Sequence, residues 1–124
     1  MTDSIHIVCD IPKKCLNPNT PCHYLTKSKA KKEAKNTVFF LAKHEVGNKP
    51  PRWEYATITI RGFYKDRRRH DADNLLASLK SHIDGLVKAG VLLDDNKVTY
   101  VIRPALCNKI DPHVDILVEK GEPE

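Results

Sequence analysis

The 124-residue chain is expected to fold as a small α/β (α+β) domain, a mixed four-stranded sheet with two helices on one face in the order β-α-β-α-β-β. Two observations predict this class. Apolar residues alternate at every second position in four short segments and recur at every third or fourth in two longer ones. The length leaves room for one core, so residues 1–124 are read as a single domain. Hydrophobic residues make up 40% and charged residues 30%, ordinary usage for a globular protein, which excludes disordered and fibrous classes.

The first element is Ser4 to Asp10, S-I-H-I-V-C-D, an alternating β-branched strand that stops before Pro12. From Pro12 to Pro21, three prolines and three Asn or Thr residues sustain neither period, so an ordered loop is expected. Between about Thr26 and Val46, Ala30, Ala34, Val38, Leu41 and Ala42 follow helical steps of three and four, while Lys27, Lys31 and Lys35 line another face. Gly47, Asn48, Pro50 and Pro51 end this helix. Tyr55 to Gly62, Y-A-T-I-T-I-R-G, reads as the second strand. Lys65 to His70, K-D-R-R-R-H, has no apolar residue and serves as a charged connection. Asp73 to Ala89 then sets Leu76, Leu79, Ile83 and Leu86 on one helical face, opposite Asp73, Ala77, Lys80, Asp84 and Lys88. Gly90 is suited to stop it, since glycine enters the left-handed conformation at little cost. Lys97 to Arg103 and His113 to Glu119 are the last strands, joined by a turn around Pro104 to Pro112. That turn is too short for a helical crossover, so the pair is expected to be antiparallel.

A net charge of +5 makes a polyanionic partner plausible. No apolar run approaches the roughly 20 residues of a membrane span, and the N-terminus lacks a basic start followed by an apolar stretch, so a cytoplasmic protein is expected. In that compartment Cys9, Cys15, Cys22 and Cys107 are read as reduced thiols. A zinc site from Cys9, Cys15, Cys22 and His23 is the alternative, but the gaps between these cysteines exceed those of a tight chelate turn.

The most informative stretch places acid inside base. Arg67, Arg68 and Arg69 precede Asp71 and Asp73, and Asp94-Asp95 follows beyond the helix. Asp71 and Asp73 alternate in an extended lead-in, which would turn both side chains to one side. Clustered carboxylates repel, and a divalent cation taking oxygen ligands relieves them; hard oxygen donors favour Mg²⁺ or Mn²⁺. Plainer roles remain open, a helix N-cap for Asp73 and an ordinary polar turn for Asp94-Asp95. Lys80 lies seven residues beyond Asp73, which at about 100° per residue returns it to nearly the same face, roughly 10 Å along the axis. A metal held by carboxylates and flanked by arginines is suited to hydrolysing a phosphodiester.

From Arg67 to Tyr100 the chain resembles the RusA family of Holliday junction resolvases, found in bacteria and their prophages. The shared pattern is a basic run, D-x-D-N-L at Asp71 to Leu75, D-G-L at Asp84 to Leu86, K-A-G at Lys88 to Gly90, and D-D at Asp94-Asp95. The rest matches in element order and in the proline-rich loop after the first strand. The resemblance implies a homodimeric, Mg²⁺-dependent endonuclease that cuts a four-way DNA junction by paired symmetric nicks, leaving ligatable 5′-phosphate ends. Carried over by position, Asp71, Asp73 and Asp95 would be the metal ligands. The family's essential helix lysine usually follows D-N-L by one residue, where this chain has Ala77; an extra turn before Lys80 restores the spacing to Asp84 and gives Lys80 that role. Arg67, Arg68, Arg69, Lys27, Lys31 and Lys35 would grip DNA phosphates.

Two other readings compete. A non-catalytic module could bind branched or duplex DNA through the same Lys and Arg residues, with the acids only capping and solvating. Glu33-Ala34-Lys35 matches a fragment of another nuclease class that carries it on a strand, yet here it sits in a helical pattern.

Overall fold

The computed structural model describes residues 3–123. Four strands assemble in the order β1-β5-β2-β3, with a fifth short strand, β4, also paired to β2. They are β1 (Ser4–Cys9), β2 (Ala56–Tyr64), β3 (Val98–Ile102), β4 (Leu106–Cys107) and β5 (His113–Lys120). The α+β class holds, with two differences from expectation: the turn after β3 contributes β4, and the second helix is two helices. The helices are α1 (Tyr24–Val46), α2 (Ala72–Ser78) and α3 (Lys80–Lys88).

β3 pairs parallel with β2, Ala56 opposite Val98 through Ile60 opposite Ile102. β5 pairs antiparallel with both β2 and β1. β1 therefore runs parallel to β2 with β5 between them, so both helical excursions return in the parallel sense. The last two strands do run in opposite directions, but they do not pair as expected, because β2 lies between them. Period-two patterning reports which face a strand buries, and says nothing about which neighbour it takes.

Alternation decides the layers. Ile5, Ile7 and Cys9 of β1, Ala56, Ile58 and Ile60 of β2, and Val114, Ile116 and Val118 of β5 are all buried. They form one cluster with Val38 and Ala42 of α1 and with Leu79, Ile83 and Leu86. Leu41, read as part of the apolar face of α1, is 39% exposed, since the interface with α3 is narrower than the apolar stripe. Gly85 makes that interface close: a Cβ there would lie 2.5 Å from the Lys35 carbonyl oxygen. Across the same crossing the Lys88 ammonium sits 4.7 Å from the centre of the Phe39 ring.

The helix read as continuous from Asp73 to Ala89 breaks at Leu79, whose ψ of 3° departs from helical geometry. One cause is local. The Ser78 hydroxyl donates to the Asn74 carbonyl at 2.7 Å, a back-bond that competes with the helical ladder and bends it. Leu79 itself is fully buried and its N–H is shared between the Leu75 and Leu76 carbonyls. Gly90 ends α3 as expected, with φ of +83°.

Four free thiols were expected, and the structure differs: Cys15 and Cys22 form a disulfide, with Cα atoms 5.6 Å apart. Cys9 is a buried free thiol and Cys107 an exposed one. The seven-residue separation between Cys15 and Cys22 exceeds a metal-chelating turn, but the intervening loop turns back on itself, with the Thr20 N–H donating to the Asn17 carbonyl at 3.0 Å and the Asn19 N–H to Asn17 Oδ1 at 2.9 Å. Among the described residues no helix is long and apolar enough to cross a membrane.

Candidate active site

Asp73, Lys80 and Asp95 line one open cleft of about 440 Å³, together with Leu76, Ala77, Ile83 and Tyr100. Each arrives from a different element. Asp73 stands in the first turn of α2, Lys80 opens α3 just past the break, and Asp95 lies in the link that leads into β3.

Backbone bonds hold that link in place. Trp53 bridges Leu92 in parallel, Arg52 N–H donates to the Gly90 carbonyl at 2.8 Å, and Leu93 N–H donates to the Trp53 carbonyl at 3.0 Å. Val91 and Leu92 are buried, which fixes where the chain leaves the core. The Asp94 carboxylate then accepts the Asp95 N–H at 2.7 Å, turning the chain so that half-buried Asp95 borders the cleft. Past it, the Lys97 ammonium meets Glu54 at 2.6 Å and anchors the start of β3.

Asp71 takes another course. Its Oδ1 accepts the N–H groups of Asp73 (2.8 Å) and Asn74 (3.2 Å), so Asp71, rather than Asp73, is the N-cap of α2. The helix begins at Ala72, before the extended alternation expected to align the two acids could continue, and successive helical residues turn by about 100°. Asp71 consequently lines a second hollow, of about 450 Å³, with Lys13, Lys14, Asn17, Arg69 and Asn74. Among the described residues no group of three or more His, Cys, Asp or Glu side chains lies close enough to hold one metal ion.

The arginine run is shaped by Asp66, which the sequence reading passed over. Its Oδ1 accepts the Arg68 N–H at 3.1 Å and meets His70 Nε2 at 2.9 Å, and the His70 ring stacks on Tyr64 with centroids 3.5 Å apart. The hydrogen bond from His70 holds the Asp66 carboxyl below the usual range. Arg67 and Arg68 border a hollow with Leu106 and Cys107, and Arg69 borders the one that Asp71 lines, so the three arginines do not share one hollow. Lys31 and Lys35 are exposed on α1 and Lys27 is half-buried; none of the three lines the cleft.

Tyr100 is the cleft residue that sequence reasoning missed. Its pKa is raised, first by burial and then by the negative charges of Asp95 and Asp84, so the hydroxyl keeps its proton and can donate. Only its position on β3 opposite Ile58 brings it there, and no spacing rule connects it to Asp73.

Asp73 and Asp95 form no ion pair with a described residue, and neither does Lys80. Two hard carboxylates without a protein cation suit Mg²⁺, which keeps several waters and is commonly bound by one or two carboxylates plus substrate phosphates. The donor set therefore fits the ion. No family model matches the chain, and no curated protein matches it significantly.

Proposed function

We propose that the chain is a Mg²⁺-dependent endodeoxyribonuclease that resolves four-way DNA junctions by paired symmetric nicks, acting as a cytoplasmic homodimer in recombination and repair, with Mn²⁺ able to replace Mg²⁺. The observation that carries this reading is the convergence of Asp73, Lys80 and Asp95 on one cleft from α2, α3 and the link before β3. The sequence resemblance from Arg67 to Tyr100 adds the substrate class.

The residues proposed to hold the ion are Asp73 and Asp95, while Asp71 caps α2 from the neighbouring hollow and fixes the helix turn that carries Asp73. When bound, the ion supplies activation of a water and neutralisation of phosphate charge. Lys80 offers a point charge to the scissile phosphate, and Tyr100 offers a hydroxyl donor from the cleft wall. Arg67, Arg68 and Arg69 offer bidentate donors to the neighbouring phosphates. Lys27, Lys31 and Lys35 extend the positive surface along α1. A two-fold dimer would match the two-fold symmetry of a junction.

The test is cleavage of a labelled four-way junction and of linear duplex, with Mg²⁺ or with chelator. Junction-selective paired nicks that need Mg²⁺, and fall by roughly 10²-fold or more in Asp73→Asn and Asp95→Asn, are expected. A junction bound but left whole in Mg²⁺ and in Mn²⁺ would replace this reading by the non-catalytic DNA-binding module.

A further inference from the structure

The loop between β1 and α1 is held by three contacts of different kinds. Leu16, in a single 3-10 turn at Lys14–Leu16, is its buried anchor. The Lys13 ammonium meets Glu33 of α1 at 2.7 Å. Asn19 Nδ2 donates to Asn74 Oδ1 at 3.0 Å, joining the loop to the first turn of α2, which Asp71 caps. The disulfide between Cys15 and Cys22 closes the segment that carries Asn17 and Asn19, and Cys22 lies directly before His23, the N-cap of α1.

Lys14, Asn17 and Thr20 of this loop form one wall of the hollow whose other wall holds Arg69, His70, Asp71 and Asn74. Both cysteines are half-buried, so solvent reaches them. Leu16 alone among residues 15–22 is buried, so beyond that anchor the segment is fixed by the disulfide, the Asn19–Asn74 bond and its own turn, where Asn17 accepts the N–H groups of Asn19 and Thr20. A covalent staple in such a place controls how rigid that wall is.

We propose that Cys15–Cys22 is a thiol-exchange site through which the redox state of the surroundings sets the grip of this hollow on DNA. The DNA part rests on the nuclease reading above; the exchange and the loosening of the loop do not. A thiolate, from a low-molecular-weight thiol or a protein dithiol, attacks one sulfur, forms a mixed disulfide and releases the other cysteine as thiolate, which takes up a proton. A second thiol of the reductant then resolves the mixed disulfide. In sum, two thiols are oxidised to one disulfide, and two electrons and two protons pass to the protein, giving free Cys15 and Cys22. Opening removes the covalent constraint on residues 15–22, leaves buried Leu16, the turn bonds to Asn17 and Asn19–Asn74 to hold the wall, and weakens the pre-organised hollow. Cys9 takes no part, because burial, reinforced by the charges of Asp10 and Asp115, pushes its thiol up to about 12.

The test uses the full chain with Cys107→Ser, which removes the exposed free thiol, equilibrated in buffers from oxidising to reducing. Alkylation in denaturant should count one thiol in the oxidised protein and three in the reduced one. Limited trypsin digestion should cut after Lys14 several-fold faster once the bond opens, and junction affinity in Ca²⁺ should fall roughly three- to tenfold, returning on reoxidation. Adding Cys15→Ser or Cys22→Ser should reproduce the reduced behaviour in every buffer. Three thiols at all potentials would overturn the proposal, as would an opened bond with unchanged cutting and unchanged affinity. Faster cutting without junction binding in either state would support the exchange site and the loop device, and overturn only their use on DNA.

Discussion

His82 is 5% exposed, its Nδ1 has no hydrogen-bond partner, and burial holds its ring down to about 4. An unfolded histidine titrates near 6.5, so between these values the unfolded chain binds the extra proton. Stability is therefore complete above about pH 6.5 and is lost as pH falls towards 4, by about 3 kcal/mol in all. Urea titrations from pH 8 to 4 should show that loss, and in His82→Leu it should shrink to the contribution of the carboxylates; an unchanged slope would show that the ring does not carry it. Beside the cleft, Asp71 caps α2. Asn caps helices about as well as Asp, so Asp71→Asn should keep the melting temperature within a few degrees and keep cleavage within a few-fold of the unchanged chain. Cleavage abolished by this change would make Asp71 a third ligand of the ion. Lys80→Met should cut the rate at least about tenfold with junction binding nearly unchanged, since a lysine on the scissile phosphate acts mainly on the reaction. These carboxylates and Lys80 were legible in the sequence because motif and spacing mark them. Tyr100 and Asp66 were not, because each owes its place to a partner distant in the fold or to a loop without periodicity.

At the scale of elements, Gly85 connects motif to packing. Its missing side chain lets α3 approach the backbone of α1 at Lys35, and Gly85→Ala should cost about 1–3 kcal/mol by forcing the helices apart. Because α3 begins at Lys80, the same change should also loosen the cleft and lower cleavage beyond its effect on folding, a difference that assays well below the melting temperature would reveal. The D-G-L segment thus has a structural reason for its glycine whatever the chemistry nearby. Five of the expected elements were legible to within two residues at each end: β1, α1, β2, β3 and β5. The break at Leu79 was not, since Leu76, Leu79, Ile83 and Leu86 satisfy a helical period straight through it and only the Ser78 hydroxyl disturbs the ladder. It falls directly before Lys80, where the resemblance required an added turn. β4 escaped notice because two residues cannot display a period.

For the whole molecule, β5 is the strand on which the sheet depends. It is the last in sequence yet lies between β1 and β2, so truncation before His113 would strip both of their shared neighbour. A chain ending at Asp111 should lose cooperative unfolding; a cooperative transition in that truncation would show that β1 and β2 can close the sheet without it. In the full chain, fluorescence of buried Trp53 and far-ultraviolet circular dichroism should give superimposable urea transitions, because one cluster joins both layers. Local sequence determined the α+β class, most helix and strand positions, the stop at Gly90, and the acidic and basic residues worth attention, because periodicity, capping and charge are properties of neighbouring residues. Tertiary structure decided that β5 enters between β1 and β2, that Cys15 meets Cys22, that Asp71 turns away into a cap, and that Asp73, Lys80, Asp95 and Tyr100 share a cleft. Those outcomes depend on contacts between residues far apart in the chain, whose loop-closure cost is met only when the whole core forms at once.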